Sequence, residues 1–143
     1  MEALGRLVNA ITNADGVYIN LRDCGGVAFS CYLTGAVGDT YTLQEAKDAS
    51  GTGAQNLAAV TRYYTSTGDG TDTWTKRAQA AAATVVTAAS ATQNAMWVEI
   101  DGAQLSDEYD YVKLTSTGAG TVRAIARDLV VQRAPANLPA LGV

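Results

Sequence analysis

The chain has 143 residues, of which 48% are hydrophobic, a formal charge of -4 and no histidine. This length fits one compact domain. Because the charge balance is acidic and the lysines and arginines are spread over several segments, the sequence is atypical of proteins that bind a nucleic-acid backbone, and no nucleic-acid partner is expected. The absence of histidine excludes Ser–His and Cys–His catalysis and removes the commonest metal ligand, so we expect no enzymatic activity.

The N-terminal residues 1–15 are predicted to form a helical arm. Leu4, Leu7, Val8 and Ile11 recur at helical spacing, and the turn-forming stretch "TNADG" then ends the pattern. The stretch "MEALGRLVNAIT" lacks a basic leader followed by an apolar run, and no apolar stretch reaches membrane-spanning length. We therefore expect a chain that folds in a cytoplasm and has no membrane partner.

From Val17 onward the hydrophobic period becomes two, with turn residues every eight to twelve positions or so, which is typical of a β-sandwich. An antiparallel, jelly-roll-like sandwich is predicted over residues 16–132. Its expected strands are Val17–Leu21, Val27–Leu33, Thr40–Ala46, Ala58–Ser66, Thr73–Gln79, Ala83–Ala88, Ala95–Asp101, Tyr109–Thr115 and Thr121–Gln132. Helix is the alternative for the alanine-rich run containing Ala83–Ala88, but its threonines and valines favour an edge strand.

Alternation within single strands predicts which side chains enter the core. The strand Ala95–Asp101 should turn Met96, Val98 and Ile100 inward and Trp97, Glu99 and Asp101 toward solvent. Likewise, Val112 and Leu114 should oppose Tyr111, Lys113 and Thr115.

The stretch "STGDGTD" is either a cation-binding loop or the bend of a hairpin. Asp69 and Asp72 flank a glycine, as in calcium loops, but two carboxylates supply few of the roughly six to eight oxygens that calcium takes. The closing glutamate of a calcium loop is also missing. The hairpin is the favoured interpretation, and no metal or other cofactor is expected.

The arms of this hairpin carry candidate interface residues. Alternation predicts Thr61, Tyr63 and Thr65 on one face, with Arg62 and Tyr64 on the other, opposed by Trp74 and Lys76. Exposed tyrosine, tryptophan and arginine are enriched at interface hot spots. The interface candidates are therefore Arg62, Tyr63, Tyr64 and Trp74, with core packing as the equally weighted alternative.

The carboxylates and thiols are assigned structural roles. Glu99, Asp101, Asp107, Glu108 and Asp110 lie beside turns, where acidic side chains commonly form local hydrogen bonds, so no catalytic pair is expected. Cys24 and Cys31 lack the spacing of a zinc or redox motif and are expected to be reduced and not bonded to each other.

Residues 133–143 are predicted to form an extended C-terminal tail. Pro135 and Pro139 prevent the tail from continuing a central strand. Burying Leu138, Leu141 and Val143 on a neighbouring subunit would remove apolar side chains from water. Leu138 and Leu141 are therefore further interface candidates, and truncation after Arg133 should weaken assembly while leaving the domain folded.

Three stretches, "YTLQEAKDASGTGAQNLAAVTRYYTSTGDGTDTWTKRAQ", "MWVEIDGAQLSDEYDYVKLTSTGAGTVRAIARDL" and "QRAPANLP", resemble small structural proteins of tailed phages that associate with the major capsid protein. The resemblance covers most of the chain from about Val27. It implies a decoration, or cement, protein that binds the exterior of the icosahedral head, often as a trimer, and stabilises it against internal DNA pressure.

Two other binding functions remain open. A host-receptor or carbohydrate-binding module would use an aromatic platform, for which Tyr63, Tyr64 and Trp74 are the candidates. A tail or connector subunit is the second alternative. The expected partners of the favoured function are the major capsid protein and further copies of this chain, with the virion exterior as its location.

Overall fold

The computed structural model describes residues 9–130 and 137–143, in which two antiparallel sheets pack together as a β-sandwich. This confirms the predicted sandwich. The strands are β1 (Asn9–Ile11), β2 (Ile19–Asn20), β3 (Cys24–Tyr32), β4 (Thr40–Ala46), β5 (Gln55–Asn56), β6 (Val60–Ser66), β7 (Thr75–Ala82), β8 (Thr84–Val86), β9 (Ala95–Asp101), β10 (Tyr111–Ser116) and β11 (Thr121–Leu129). Single 3-10 turns occupy Ala91–Gln93 and Gly102–Gln104.

The larger sheet has six strands in the order β1-β11-β3-β9-β6-β7. In the smaller sheet, β10 lies between β2 and β4, and β4 pairs with both β5 and β8. Only Ala83 separates β7 from β8, so the chain crosses from the larger sheet to the smaller one at that residue. The strand predicted within Ala83–Ala88 is confirmed as β8.

One hydrophobic core lies between the two sheets and is supplied by inward side chains from strands of both. Met96, Val98 and Ile100 are at most 1% exposed, as the alternation in β9 predicts. The largest other buried side chains are Phe29, Tyr41, Leu43, Leu114 and Ile19. Removing each large apolar side chain from water contributes roughly 1.5–3 kcal/mol, so this alternation fixes which face of each sheet points outward.

The first described residues form a strand, so the helix prediction is wrong for residues 9–11. Asn9–Ile11 pairs with Ala124–Ala126 of β11, and Ala14 is fully buried in the core. Pairing with an existing sheet edge overrides the helical spacing of the apolar residues, because intrinsic propensity is a weak preference. Leu4, Leu7 and Val8 lie outside the described residues. Residues 9–15 are thus part of the sandwich.

The short strand β5 arises in the stretch "DASGTGAQN", which the sequence predicts to be a loop. Gln55 and Asn56 pair with Glu45 and Gln44 of β4. The sequence could not predict this strand, because its two residues show no apolar alternation. The strand forms because β4 offers an edge with which they can pair.

Candidate interaction surface

The β6–β7 hairpin is confirmed, with Tyr64 opposite Lys76 and Tyr63 opposite Arg77. A register shift between Val60 and Arg62 changes the faces of the first residues. Because a bulge interrupts the strict alternation of a strand, Thr61 is exposed and does not share the inward face of the later residues. Arg62 and Tyr64 remain on the outer face.

Tyr63 is a core residue, which corrects its prediction as an exposed interface candidate. Its side chain belongs to the hydrophobic core and is only 9% exposed. The neighbouring Thr65 is fully buried, and its Oγ1 accepts a hydrogen bond of 2.8 Å from Nε of Arg77. Tyr63 therefore cannot contribute to an aromatic platform on the surface.

Three aromatic side chains meet on the outer side of the larger sheet, and we call Tyr64, Trp74 and Trp97 the aromatic face. Tyr64 and Trp97 are directly paired across β6 and β9. Trp74 precedes β7 and is 48% exposed, and its ring meets that of Trp97 edge-to-face with centroids 6.5 Å apart and an interplanar angle of 66°. This arrangement is favourable for aromatic pairs and keeps both indoles at the surface.

Trp97 is the member that the choice of interface candidates missed. The alternation in β9 had already placed it on the solvent side, but its distance along the chain from the hairpin gave no sign that it joins Tyr64 and Trp74. The sheet order supplies this information, because β9 is the neighbour of β6 in the larger sheet.

Two adjoining grooves follow the aromatic face. One has a volume of about 290 Å³ and is lined by Tyr64, Trp74 and Trp97. The other has a volume of about 280 Å³ and is lined by Arg62, Tyr64, Trp97 and Glu99. Nε1 of Trp97 donates a hydrogen bond of 3.1 Å to Oε1 of Glu99, which holds the indole at the junction of the two grooves. The surface thus has an apolar end and a charged end.

A row of paired residues crosses five strands through the aromatic face. In order across the sheet it contains Arg123, Ser30, Trp97, Tyr64 and Lys76. Residues paired in this way lie on the same face of a sheet. Cations therefore lie on both sides of the central Trp97–Tyr64 pair.

The "STGDGTD" bend uses its two carboxylates to hold its own backbone. Oδ1 of Asp72 accepts a hydrogen bond of 2.9 Å from N of Thr67, and Oδ1 of Asp69 accepts one of 2.9 Å from N of Thr71. Hydrogen bonds from the hydroxyl groups of Thr67 and Thr71 lower the pKa of Asp69 to about 2. These contacts fix the turn that leads into Trp74.

The described part of the C-terminal tail packs on its own chain through Leu141, which corrects the prediction that this side chain is free for a neighbour, whereas Val143 is 69% exposed. Leu141 is 5% exposed and belongs to the core, and its carbonyl accepts a hydrogen bond of 2.7 Å from N of Asn20. Tyr111, predicted to lie on the solvent side of its strand, is only 5% exposed, and its hydroxyl group donates a hydrogen bond of 3.0 Å to O of Val143. Leu138 is partly exposed.

Truncation after Arg133 should therefore destabilise the domain itself. Pro135 lies outside the described residues, and the carbonyl of Pro139 accepts a hydrogen bond of 2.7 Å from Nδ2 of Asn9. The described residues 137–143 have partners in both β1 and β2, so removing them would expose part of the core.

Two buried carboxylates, which the sequence did not single out, connect loops at different places in the sandwich. Oδ1 of Asp39, which is 7% exposed, accepts hydrogen bonds from N of Thr40 at 2.7 Å and N of Gly118 at 2.9 Å, and Oδ2 accepts one from the Ser116 hydroxyl. Burial alone would raise the pKa of Asp39, but these donors outweigh it and hold the pKa below its usual value. A side chain at Gly120 would place its Cβ 2.5 Å from Oδ2 of Asp39.

Glu45 is the second of these carboxylates, and it is 1% exposed. Its Oε1 accepts hydrogen bonds of 2.6 Å from Nε2 of Gln55 and from Oγ of Ser106, and its Oε2 accepts one of 2.8 Å from N of Ser106. Burial opposes ionisation here too, but the donors on Ser106 and Gln55 lower the pKa. Every oxygen of the two buried carboxylates thus accepts at least one hydrogen bond, as buried polar groups require.

Several surface acids form ion pairs at the ends of strands. Asp110 accepts a 2.8 Å contact from Nε of Arg22, and Glu108 accepts one of 2.8 Å from Nζ of Lys47. Asp101 pairs with Arg127. Asp107 is exposed. The structure thus disperses these acids.

Cys24 and Cys31 cannot bond to each other. Both lie on β3, and the seven residue steps from one to the other in an extended strand correspond to roughly 23 Å. A disulfide requires Cα atoms within about 7 Å. Both thiols are free and buried, which confirms that they do not form a bridge.

No protein-family model, curated protein or solved structure matches this chain. Within residues 9–130 and 137–143, no helix is long and apolar enough to cross a membrane.

Proposed function

We propose that this protein is a structural component of a tailed-phage virion that decorates the exterior of the capsid and stabilises it by binding the lattice of the major capsid protein. The observation that carries the proposal is the aromatic face, where Tyr64, Trp74 and Trp97 form one surface. The resemblance of the sequence to capsid-associated proteins supplies the identity of the partner.

The aromatic face has the composition of an interface centre. Tryptophan and tyrosine contribute large contact area with few rotatable bonds, and hot spots concentrate in such residues. A protein that binds only the assembled lattice stabilises that state by mass action, so the same contact would account for both attachment and stabilisation. In this proposal the protein acts through binding rather than catalysis. It forms a homo-oligomer, and the resemblance to decoration proteins implies a trimer.

The test uses heads assembled without this chain, to which purified protein is added. We expect the unaltered chain to bind and to raise the temperature at which the heads disrupt. Trp97→Ala should weaken binding at least tenfold, whereas Tyr18→Ala, which removes an aromatic ring near the smaller sheet, should change it less than threefold. Failure of the unaltered chain to bind any heads would refute the decoration function.

Saccharide binding is a second candidate, favoured by the groove in which Arg62 and Glu99 lie beside Tyr64 and Trp97. Aromatic rings can stack on the apolar faces of a sugar while charged groups bind its hydroxyl groups. A glycan array separates the candidates, because a carbohydrate module should bind a defined sugar and lose this binding in Trp97→Ala.

The jelly-roll-like topology and a helix within residues 1–8 remain predictions.

A further inference from the structure

We propose that the surface of the partner that receives the aromatic face is acidic on two sides of an apolar centre. This inference rests on the proposed function, because it specifies the chemistry of the capsid surface that would bind there. It is argued from the placement of the cations on the outer side of the larger sheet.

Three cations that surround the aromatic face have no partner among the described residues. The side chains of Arg62, Lys76 and Arg123 are exposed and make no ion pair, side-chain hydrogen bond or cation–π contact with any residue in 9–130 or 137–143. Glu99 is the acid in the charged groove, and its carboxylate accepts the hydrogen bond from Trp97.

The other cations of the described chain are already engaged. Arg22, Lys47 and Arg127 form ion pairs with acids. Arg77 donates to Thr65, and Nζ of Lys113 lies 4.4 Å from the ring centroid of Tyr18. Among residues 9–130 and 137–143 of this chain with a net charge of -4, the cations without such a contact therefore lie on one surface.

The sheet geometry gives the spacing of the acidic groups on the partner. Arg123 and Lys76 lie at opposite ends of one cross-strand row, separated by four strand spacings or roughly 19 Å. Arg62 borders the groove between them. A complementary partner would present carboxylates about this far apart, with an apolar patch between them for Trp97 and Tyr64.

The cations and the aromatic rings should contribute in different ways. Cations at the rim of an interface mainly increase the association rate and are screened by salt. The aromatic centre excludes water, and its loss mainly increases the dissociation rate. Salt dependence therefore distinguishes the charged rim from the apolar centre.

The experiment measures binding of the full chain to heads assembled without it, at 50 mM and 500 mM salt. Arg62→Glu, Lys76→Glu and Arg123→Glu should each weaken binding at least fivefold at 50 mM salt, with a smaller loss at 500 mM. The matched control is Lys113→Glu, which makes the same charge change on the smaller sheet and should alter binding less than twofold. Thermal unfolding of each variant verifies that it is folded.

The outcomes separate the two proposals. If Trp97→Ala weakens binding while the three reversals do not, the acidic partner is refuted and the decoration function stands. If the unaltered chain binds no heads, the decoration function fails. If it binds no heads but binds polygalacturonate, and the reversals abolish that binding, the cations recognise an acidic polysaccharide and a capsid partner is overturned.

Discussion

The outer faces of the two sheets are built by the same alternation but differ in chemistry. The larger sheet exposes the aromatic face with the cations Arg62, Lys76 and Arg123 around it. The smaller sheet instead pairs Thr42 with Thr115. The difference shows that outward position alone does not create an interaction surface. The outward side chains must also expose apolar area and charged groups that make no contacts within the domain.

The smaller sheet satisfies much of its outer polarity internally. Nε2 of Gln44 donates a 3.1 Å hydrogen bond to Oδ1 of Asn56, and Lys113 lies over the ring of Tyr18. Small hydroxyl groups such as those of Thr42 and Thr115 expose little apolar area, so covering them would gain little free energy. We therefore expect this face to be exposed to solvent while the aromatic face is covered.

The largest effect on stability is expected at the buried carboxylate Asp39, whose hydrogen bonds connect loops of the sandwich. Asp39→Asn removes the charge that accepts hydrogen bonds from Thr40, Ser116 and Gly118, and should lower the free energy of unfolding by about 2–3 kcal/mol. Urea unfolding measures the change. The matched control is Asp107→Asn at an exposed acid, which should change stability by less than about 0.5 kcal/mol. Equal losses in the two variants would contradict the role of Asp39.

The strongest direct comparison of the two faces removes the outer side chains of each. Trp74→Ala with Trp97→Ala should weaken binding to heads about 100-fold, which corresponds to about 2.7 kcal/mol. The matched pair, Thr42→Ala with Thr115→Ala, should weaken binding less than threefold. Equilibrium binding to heads gives both values. A larger loss in the threonine pair would assign the contact to the smaller sheet.

Acid should lower the free energy of unfolding by protonating the buried carboxylates Asp39 and Glu45, neither of which belongs to the aromatic face. The pKa values of Asp39 and Glu45 are lowered by their hydrogen bonds, so the stabilisation is present above the unfolded pKa of about 4 and is lost as pH falls through the folded values. Unfolding in urea at pH 6, 4 and 2.5 should show this decline. Asp39→Asn should flatten it, and an unchanged slope in that variant would argue against the linkage.

Thiol labelling should show how firmly β3 is held beside β9 in the larger sheet. Burial raises the pKa of both thiols, and Cys31 is 1% exposed against 8% for Cys24, so both should react slowly in the native state, with Cys31 the slower. After denaturation both should react without prior reduction, as mass spectrometry can measure. Protection that persists in the denatured chain would reveal a bridge or modification.

The smallest effect is expected from chelation near Trp74. Asp69 and Asp72 hold the bend through hydrogen bonds to Thr67 and Thr71, so a chelator should leave the thermal midpoint unchanged within about a degree. Differential scanning calorimetry with and without the chelator tests this. A large decrease would mean that a cation helps to position the aromatic face.

The candidate surface was only partly predictable from local pattern. Arg62, Tyr64 and Trp74 were identified because they flank one recognisable hairpin. Tyr63 was misassigned as exposed, because strict alternation shows which side chains share a face but not which face meets the core. The register shift beside Val60 placed Thr61 on the exposed side instead of on the face of Tyr63 and Thr65. Trp97 is contributed by a strand that is distant in sequence, so only the pairing of β6 with β9 could identify it.

The sequence by itself determined the β-sandwich, the inward residues of β9, the hairpin and its bend, because these depend on contacts between nearby residues and on strict alternation. The tertiary structure decided that Ile11 enters a strand, that Leu141 packs on its own chain, and that Asp39 and Glu45 are buried among donors from distant loops. It also brought Arg62, Lys76 and Arg123, which have no partner among the described residues, to the surface around Tyr64 and Trp97. The physical reason is that these contacts join residues that are far apart in sequence. The partner of a sheet edge, of an apolar core position or of a buried charge depends on which residues the fold brings close together, and distance along the chain does not specify it.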